Sequence, residues 1–180
     1  MNAQITLTTD RLLLKGITPA ILKELFATMN EAEIIAYFDA DEQSFDRMTK
    51  MVTHGMETYN ISLFYFLICD KNTGTVLGEC GFHTWNTTHH RADLFYSMRH
   101  DTYKKKGYMK EVVGPILTFG FSELGLHRIQ AFIDDANTPS KRILQHYGFT
   151  FEGRMRQDYW VNGIPEDSDC YSLLKGEHLR

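Results

Sequence analysis

The stretch YKKKGYMKE, residues 103–111, sets three consecutive lysines and a glycine directly ahead of a helical pattern. The first turn of a helix presents backbone N–H groups without partners inside the helix, and the macrodipole adds about half a positive charge there. After a strand and a tight turn, such amides converge on an anion, above all a phosphate. Gly107 would let the backbone approach a ligand closely because no Cβ intrudes, and Lys104, Lys105 and Lys106 would add charge around a diphosphate. The run matches neither GxxxxGK[ST] nor GxGxxG, which argues against an NTPase loop or a Rossmann dinucleotide site. Taken alone, it reads equally well as a solvated turn before a helix.

A second polar group stands in DDANTPSKRILQHYGFTFEG, residues 134–153. Thr138 as N-cap followed by Pro139 predicts a helix over about 139–147. Ile143, Leu144 and Tyr147 supply its apolar face, and Gly148 takes the left-handed position that ends it. Asn137 lies at the junction, where a side-chain amide satisfies loop backbone, and Ser140 lies in the first turn, facing the space beside the preceding strand. Two carboxylates fall on strand-like segments, Glu79 (between Gly78 and Gly81) and Asp93. Each can be a general base or a structural anion, and an ordinary Asp, with a pKa of about 3.9, needs a water relay or a shifted environment to act as a base. His89 and His90 fall in a turn and read as a surface pair rather than metal ligands. His83, Tyr159 and Trp160 are candidates for the wall of a cleft, with core packing as the alternative for the aromatics.

These residues must be positioned by a mixed set of elements. ITLTTDRLLLK reads as a first strand, TPAILKELFATMN as a helix capped by Thr18 with Pro19 behind it, and residues 43–59 as a second helix with Phe45, Met48, Val52 and Met56 on one face. SLFYFLICD, TVLGECGFHTW and ADLFYSMR form a meander of three strands. The basic run then opens a helix of about 16 residues, in which Pro115 predicts a bend. HRIQAFID is a strand, the short helix after NTPS follows, and FEGRMRQDYWV and DSDCYSLL close the chain as strands. The order β-α-α-β-β-β-α-β-α-β-β implies an α+β, or mixed α/β, fold: a largely antiparallel sheet flanked by helices.

The 180 residues suit one domain spanning 1–180. A net charge of −4 argues against general DNA or RNA binding, so phosphate affinity must come from a local arrangement. No apolar run approaches the roughly 20 residues of a membrane span, and MNAQITLTTDRLLLKG lacks the parts of a signal peptide. Cys69, Cys80 and Cys170 are odd in number and widely spaced, which fits neither a disulfide framework nor zinc spacing. A cytoplasmic, reduced protein without a metal is the expectation.

Residues 91–153 resemble the GCN5-related N-acetyltransferase (GNAT) superfamily, and within it the RimJ/RimL ribosomal-protein N-terminal acetyltransferases. RADLFYSM corresponds to the strand A-E-[IL]-G-Y-x-[IL], KKKGYMKE to the loop [RQ]-x-x-G-x-[GA], and NTPSKRILQHYGFTFEG to N-x-x-S-x-[RK]-[VIL]-L-x-x-x-G-F-x-x-E-G. The opening TTDRLLLK and the closing DYWVNGIPEDSDCYSLL extend the likeness over nearly the whole chain. The sequence departs from the pattern at Lys104, where Arg or Gln is usual, at Met109, where Gly or Ala is usual, and at Phe95, which replaces Gly and could narrow a channel.

The resemblance implies a GNAT-like acyl-CoA N-acyltransferase fold and transfer of an acetyl group from acetyl-CoA to a primary amine, either a protein N-terminus or a small molecule. It puts the CoA pyrophosphate on the amides of Lys105 to Met109, with Lys104 and Tyr108 in the same loop, and the pantetheine arm along the backbone of Tyr96, Ser97 and Met98. Asn137 and Ser140 complete that site. Ser140 aligns with the serine proposed to serve the leaving sulfur, Asp93 stands at the strand carboxylate, and Glu79 is the other candidate base. Dimerisation is common in the family, so a homodimer is compatible with the resemblance. A CoA-binding sensor without catalysis is the alternative on the same fold, and a nucleotide-phosphate binder is a more distant one.

Overall fold

The molecule was analysed as a computed structural model that describes residues 5–55, 57–58 and 61–178. The segment expected as one opening strand is a hairpin: β1 (Thr6–Thr8) and β2 (Leu12–Ile17) pair antiparallel. The chain turns at Thr9–Arg11 because Thr9 takes the Leu12 N–H on its hydroxyl and gives its own N–H to the Leu12 carbonyl. Three helices follow, α1 (Pro19–Thr28), α2 (Glu31–Phe38) and α3 (Glu42–His54). The sequence reading missed α2, although its capping box was legible in NEAE: Asn30 accepts from the Glu33 N–H, and the Glu33 side chain accepts from the Asn30 N–H. The helix expected over 43–59 stops at His54, where Gly55 takes a left-handed φ of 92°. Beyond it, β3 (Glu57–Thr58) is a strand, and residues 56, 59 and 60 lie outside the described residues.

The meander is β4 (Ile61–Asp70), β5 (Val76–Asn86) and β6 (Arg91–Met98). Then come α4 (Tyr108–Ser122), which continues through Pro115, β7 (Arg128–Ile133), α5 (Thr138–His146), β8 (Thr150–Val161), β9 (Ile164–Leu174) and the short α6 (Lys175–His178). One sheet runs in the order β1-β2-β4-β5-β6-β7-β9-β8, with β3 paired to β4 off that path. The β6–β7 pair alone is parallel among the described pairs.

Both faces of the sheet are covered, which is why β4 reads as an almost unbroken apolar run. Its Phe64, Phe66 and Ile68 join Val112, Val113, Ile116 and Leu117 of α4 in one core. Its Tyr65, Leu67 and Cys69 join Leu22, Ile34, Phe38 and Met48 from α1, α2 and α3 in the other.

The feature that positions a site is where this sheet opens. β6 and β7 pair only from Arg91–Asp93 to Arg128–Gln130. β6 nevertheless continues against β5 as far as Met98, and β7 continues against β9 as far as Ile133. The two halves of the sheet therefore diverge after Asp93, and the edge of β6 from Leu94 to Met98 loses its β7 partner. Across β5, Gly78 lets β6 come close: a Cβ there would lie 2.2 Å from the Ser97 carbonyl oxygen.

Candidate active site

One cleft gathers Tyr96–Met98 from the open edge of β6, Lys104–Lys110 from the loop and first turn of α4, and Asn137, Pro139, Ser140 and Ile143 from α5, with Tyr103 at its side. Every residue expected at the donor site thus lines a single cavity of about 520 Å³. The loop backbone alternates in hand, with Lys105 at φ 60° and Gly107 at φ 79°, a form that turns successive N–H groups toward one point. Thr18, Asn30, Asp41 and Asn137 cap α1, α2, α3 and α5 with their side chains, whereas α4 opens on Gly107 with no side-chain cap. The first amides of α4 therefore remain available to a ligand in the cleft. Arg11 braces the loop by donating to the Lys106 carbonyl and stacking 4.6 Å from the centre of the Tyr108 ring. The lysines line the cleft; Lys104 Nζ lies 2.6 Å from Asp101, and Lys106 Nζ lies 5.9 Å from the centre of the Tyr103 ring.

Ser140 stands where this cleft meets a second cavity, of about 480 Å³, that passes through the opening between β6 and β7. Its position follows from the α5 cap, which is Asn137 rather than the expected Thr138: Asn137 Oδ1 accepts the Ser140 N–H at 3.2 Å. Thr138 and Pro139 are then the first two helical residues. Gly148, at φ 77°, follows the helix end as the sequence implied. Ser140 is buried, and its hydroxyl interacts with the Tyr96 phenol, a buried group that finds no hydrogen-bond partner of full geometry. Burial raises the Tyr96 pKa, and Ser140 partly opposes the rise. Tyr147 lies apart from this pair and donates its phenol to the Lys110 carbonyl, tying α5 to α4.

On the far side of the opening, His83 and Asp93 are cross-strand partners of β5 and β6. His83 Nδ1 lies 2.9 Å from Thr84 Oγ1 and 3.7 Å from Asp93 Oδ2, which leaves Nε2 as the nitrogen able to face the cavity. Asp93 is buried, and a chain of bonds orients it: Gln130 donates to Asp93 at 2.7 Å, Arg128 donates to Gln130, and Arg128 grips Glu152 with both terminal nitrogens.

His83 and Phe95 also line a third cavity, of about 200 Å³, between the sheet and α3. Glu79 sits there, 3.1 Å from Arg99 and 3.8 Å from Arg47. Phe95 contacts the rings of Tyr65 and His83 and lines these two cavities, not the cleft by the lysines. Tyr159 lines the second cavity, while Trp160 is 70% exposed and lines none of the three. Among the described residues, no three His, Cys, Asp or Glu side chains gather as a metal site requires.

Residues 11–150 match the family described as the Acetyltransferase (GNAT) domain. The chain belongs to the GNAT acetyltransferase family. Over 94% of its length and 96% of the relative's, it is 32% identical to YoaA of Bacillus subtilis (strain 168), described as an uncharacterized N-acetyltransferase. Two solved structures share the fold at low identity. A variant of the spermidine N-acetyltransferase of Vibrio cholerae superposes with a TM-score of 0.71 at 20% identity, covering 94% of this chain and 97% of that one. The ribosomal-protein-S5-alanine acetyltransferase of Vibrio fischeri superposes with a TM-score of 0.67 at 20% identity, covering 95% and 97%. The protein is a GNAT N-acetyltransferase. Among the described residues, no helix of this GNAT enzyme is long and apolar enough to cross a membrane.

Two features of the site escaped the sequence reading of the GNAT chain: the pairing of His83 with Asp93, both named as single candidates, and the arginines Arg47 and Arg99. The pairing of His83 with Asp93 depends on the β5–β6 register, which slips by a bulge between His83 and Asn86. Arg47 and Arg99 carried no motif, and only α3 folding back over β5 places Arg47 near Glu79.

Proposed function

We propose that this enzyme transfers the acetyl group of acetyl-CoA directly to a primary amine across the opening between β6 and β7. The observation that carries the reading is the continuity of the cavities. The lysine-loop cleft and the second cavity share Tyr96, Asn137 and Ser140, and the second and third cavities share His83 and Phe95. A donor entering from the loop side and an amine entering from the α3 side would meet beside Ser140.

The residues divide the chemistry as follows. The loop amides of Lys105–Met109 take the pyrophosphate, with the three lysines adding screened charge around it. The edge of β6 at Tyr96–Met98, without a β7 partner, offers backbone groups to the pantetheine amides as an added strand would. Acetyl transfer requires an amine without its extra proton; its lone pair forms the C–N bond, and the C–S bond breaks as the tetrahedral intermediate collapses. His83 takes the proton from the ammonium, with the Thr84 hydroxyl holding Nδ1 and the Asp93 carboxylate, 3.7 Å away, stabilising the imidazolium that forms, replacing direct action by Asp93 alone. Ser140 donates a hydrogen bond to the developing thiolate, which takes its final proton from solvent, because a hydroxyl is a weaker acid than a thiol. Glu79, held between two guanidiniums, serves as a charge partner in the acceptor region rather than as the base.

A cytoplasmic setting belongs to this reading and is supported by three buried cysteines that are all free thiols. Release of CoA thiol, followed across a panel of amines with acetyl-CoA as donor, tests the proposal. Amine-dependent release is expected; release that no amine accelerates, including peptides with ribosomal-protein N-termini, would contradict it.

A further inference from the structure

The cavity between α3 and β5 carries the wrong charge for a polyamine. Two guanidiniums, Arg47 and Arg99, face one carboxylate, Glu79. Glu79 takes a close contact only from Arg99; Arg47 stands off at 3.8 Å with its side chain 59% exposed. Arg99 is the more deeply held of the two, at 14% exposure, so Arg47 presents the more accessible charge. A further carboxylate, Asp41, caps α3 through the Ser44 N–H at 2.8 Å; it feels the charge of Arg99 and Arg47 but forms no ion pair with either among the described residues. Ser44, Met48, Met51, Tyr65, His83 and Phe95 supply the rest of the wall. Two guanidiniums against one carboxylate, in a partly enclosed space whose other lining residues are mainly Met and aromatic, favour an anion with an apolar body.

We infer that the amine acceptor also carries a carboxylate, which the Arg47–Arg99 pair receives while the amine points toward His83. The arrangement suits a zwitterionic amino acid or a short peptide with an acidic side chain near its N-terminus, and it disfavours a polycation such as spermidine, whose charge the two arginines repel. The inference rests on the acetyl-transfer reading only for the direction in which the amine points; the anion site stands on the cavity itself.

The test is calorimetric titration of the whole protein with matched pairs: an apolar amino acid against its amide, and a peptide with glutamate at its second position against the same peptide with glutamine. Spermidine is a third arm. The carboxylate member of at least one pair should bind about tenfold tighter or more, as charge-assisted bidentate contacts do, and the pair that shows this separates a free amino acid from an acidic peptide. Spermidine should bind more weakly than either carboxylate.

Arg47→Gln should collapse the ratio toward one and Arg47→Lys should retain part of it; Arg47 is chosen because its exposure spares the core. Equal binding within both pairs, a ratio untouched by Arg47→Gln, or tightest binding of spermidine would overturn the inference. Acetyl-CoA is titrated separately. If it does not bind while the carboxylate preference holds, the acetyl-transfer reading falls and the anion site stands. If amines are acetylated without that preference, this inference falls alone.

Discussion

Arg11 and Glu111 lie 100 residues apart in the chain and meet at the entrance to α4, where the Arg11 guanidinium reaches Glu111 Oε2 at 2.6 and 2.7 Å and the Arg11 backbone N–H donates to Oε1 at 2.9 Å. Thr9 donates to the same carboxylate. Burial pushes the Glu111 carboxyl up, but the bonds from Thr9 and Arg11 outweigh it and hold the group below its ordinary range. Because Arg11 also holds the Lys106 carbonyl, the β1–β2 turn fixes the backbone of the lysine loop. Arg11→Met should therefore raise the acetyl-CoA Kd about three- to tenfold, while an ion pair with one half-exposed partner contributes only about 1 kcal/mol or less to stability. Binding and thermal unfolding measured on the same sample separate the two effects.

Ser140→Ala removes the hydroxyl proposed to stand beside the leaving sulfur. On the proposed reading, kcat falls by about 10²-fold, as the loss of one such donor does elsewhere, and the acetyl-CoA KM stays within about threefold. Steady-state kinetics in which KM rises and kcat holds would assign Ser140 to binding instead.

His83→Gln should lower kcat by about 10²-fold, within the range of general base catalysis. Asp93→Asn should cost less, because it removes only a nearby charge that stabilises the imidazolium. An Asp93→Asn loss that exceeds the His83→Gln loss in the same assay would return the base to the carboxylate.

Glu152 links the site to pH-dependent stability. Hydrogen bonds from Arg128, then Ser172, lower its pKa from 4.5 to about 2. The folded state binds fewer protons than the unfolded one between those values, so the contribution is complete above pH 4.5 and fades as pH falls toward 2. The difference in Tm between the parent and Glu152→Gln should be largest near neutrality and should shrink across that window. A difference that stays constant with pH would mean the Arg128–Glu152 pair adds no linkage.

What was legible in the sequence was local. The lysine–glycine loop and the short helix that ends before Gly148 announce themselves because glycines and prolines act within a few positions of themselves, although the cap proved to be Asn137 and not Thr138. The opening strand misled because Thr9–Arg11 turns the chain inside an apolar alternation that continues on both sides. Register and long-range charge were not legible. His83 meets Asp93 through strand pairing across a bulge, and Arg11 finds Glu111 only after the whole sheet has formed. Lysines drew attention to the proposed donor side, whereas the proposed acceptor side is built from single residues on α3, β5 and around the end of β6 that share no motif.

The central claim concerns amides: those of the α4 entrance and those of the open β6 edge hold one ligand. Backbone amide NMR during titration with acetyl-CoA tests it most directly. Saturable shifts concentrated at Lys105–Met109 and Tyr96–Met98, with a midpoint between about 1 μM and 1 mM, are the predicted result. Shifts that spare both segments, or an unchanged spectrum at millimolar donor, would contradict the account.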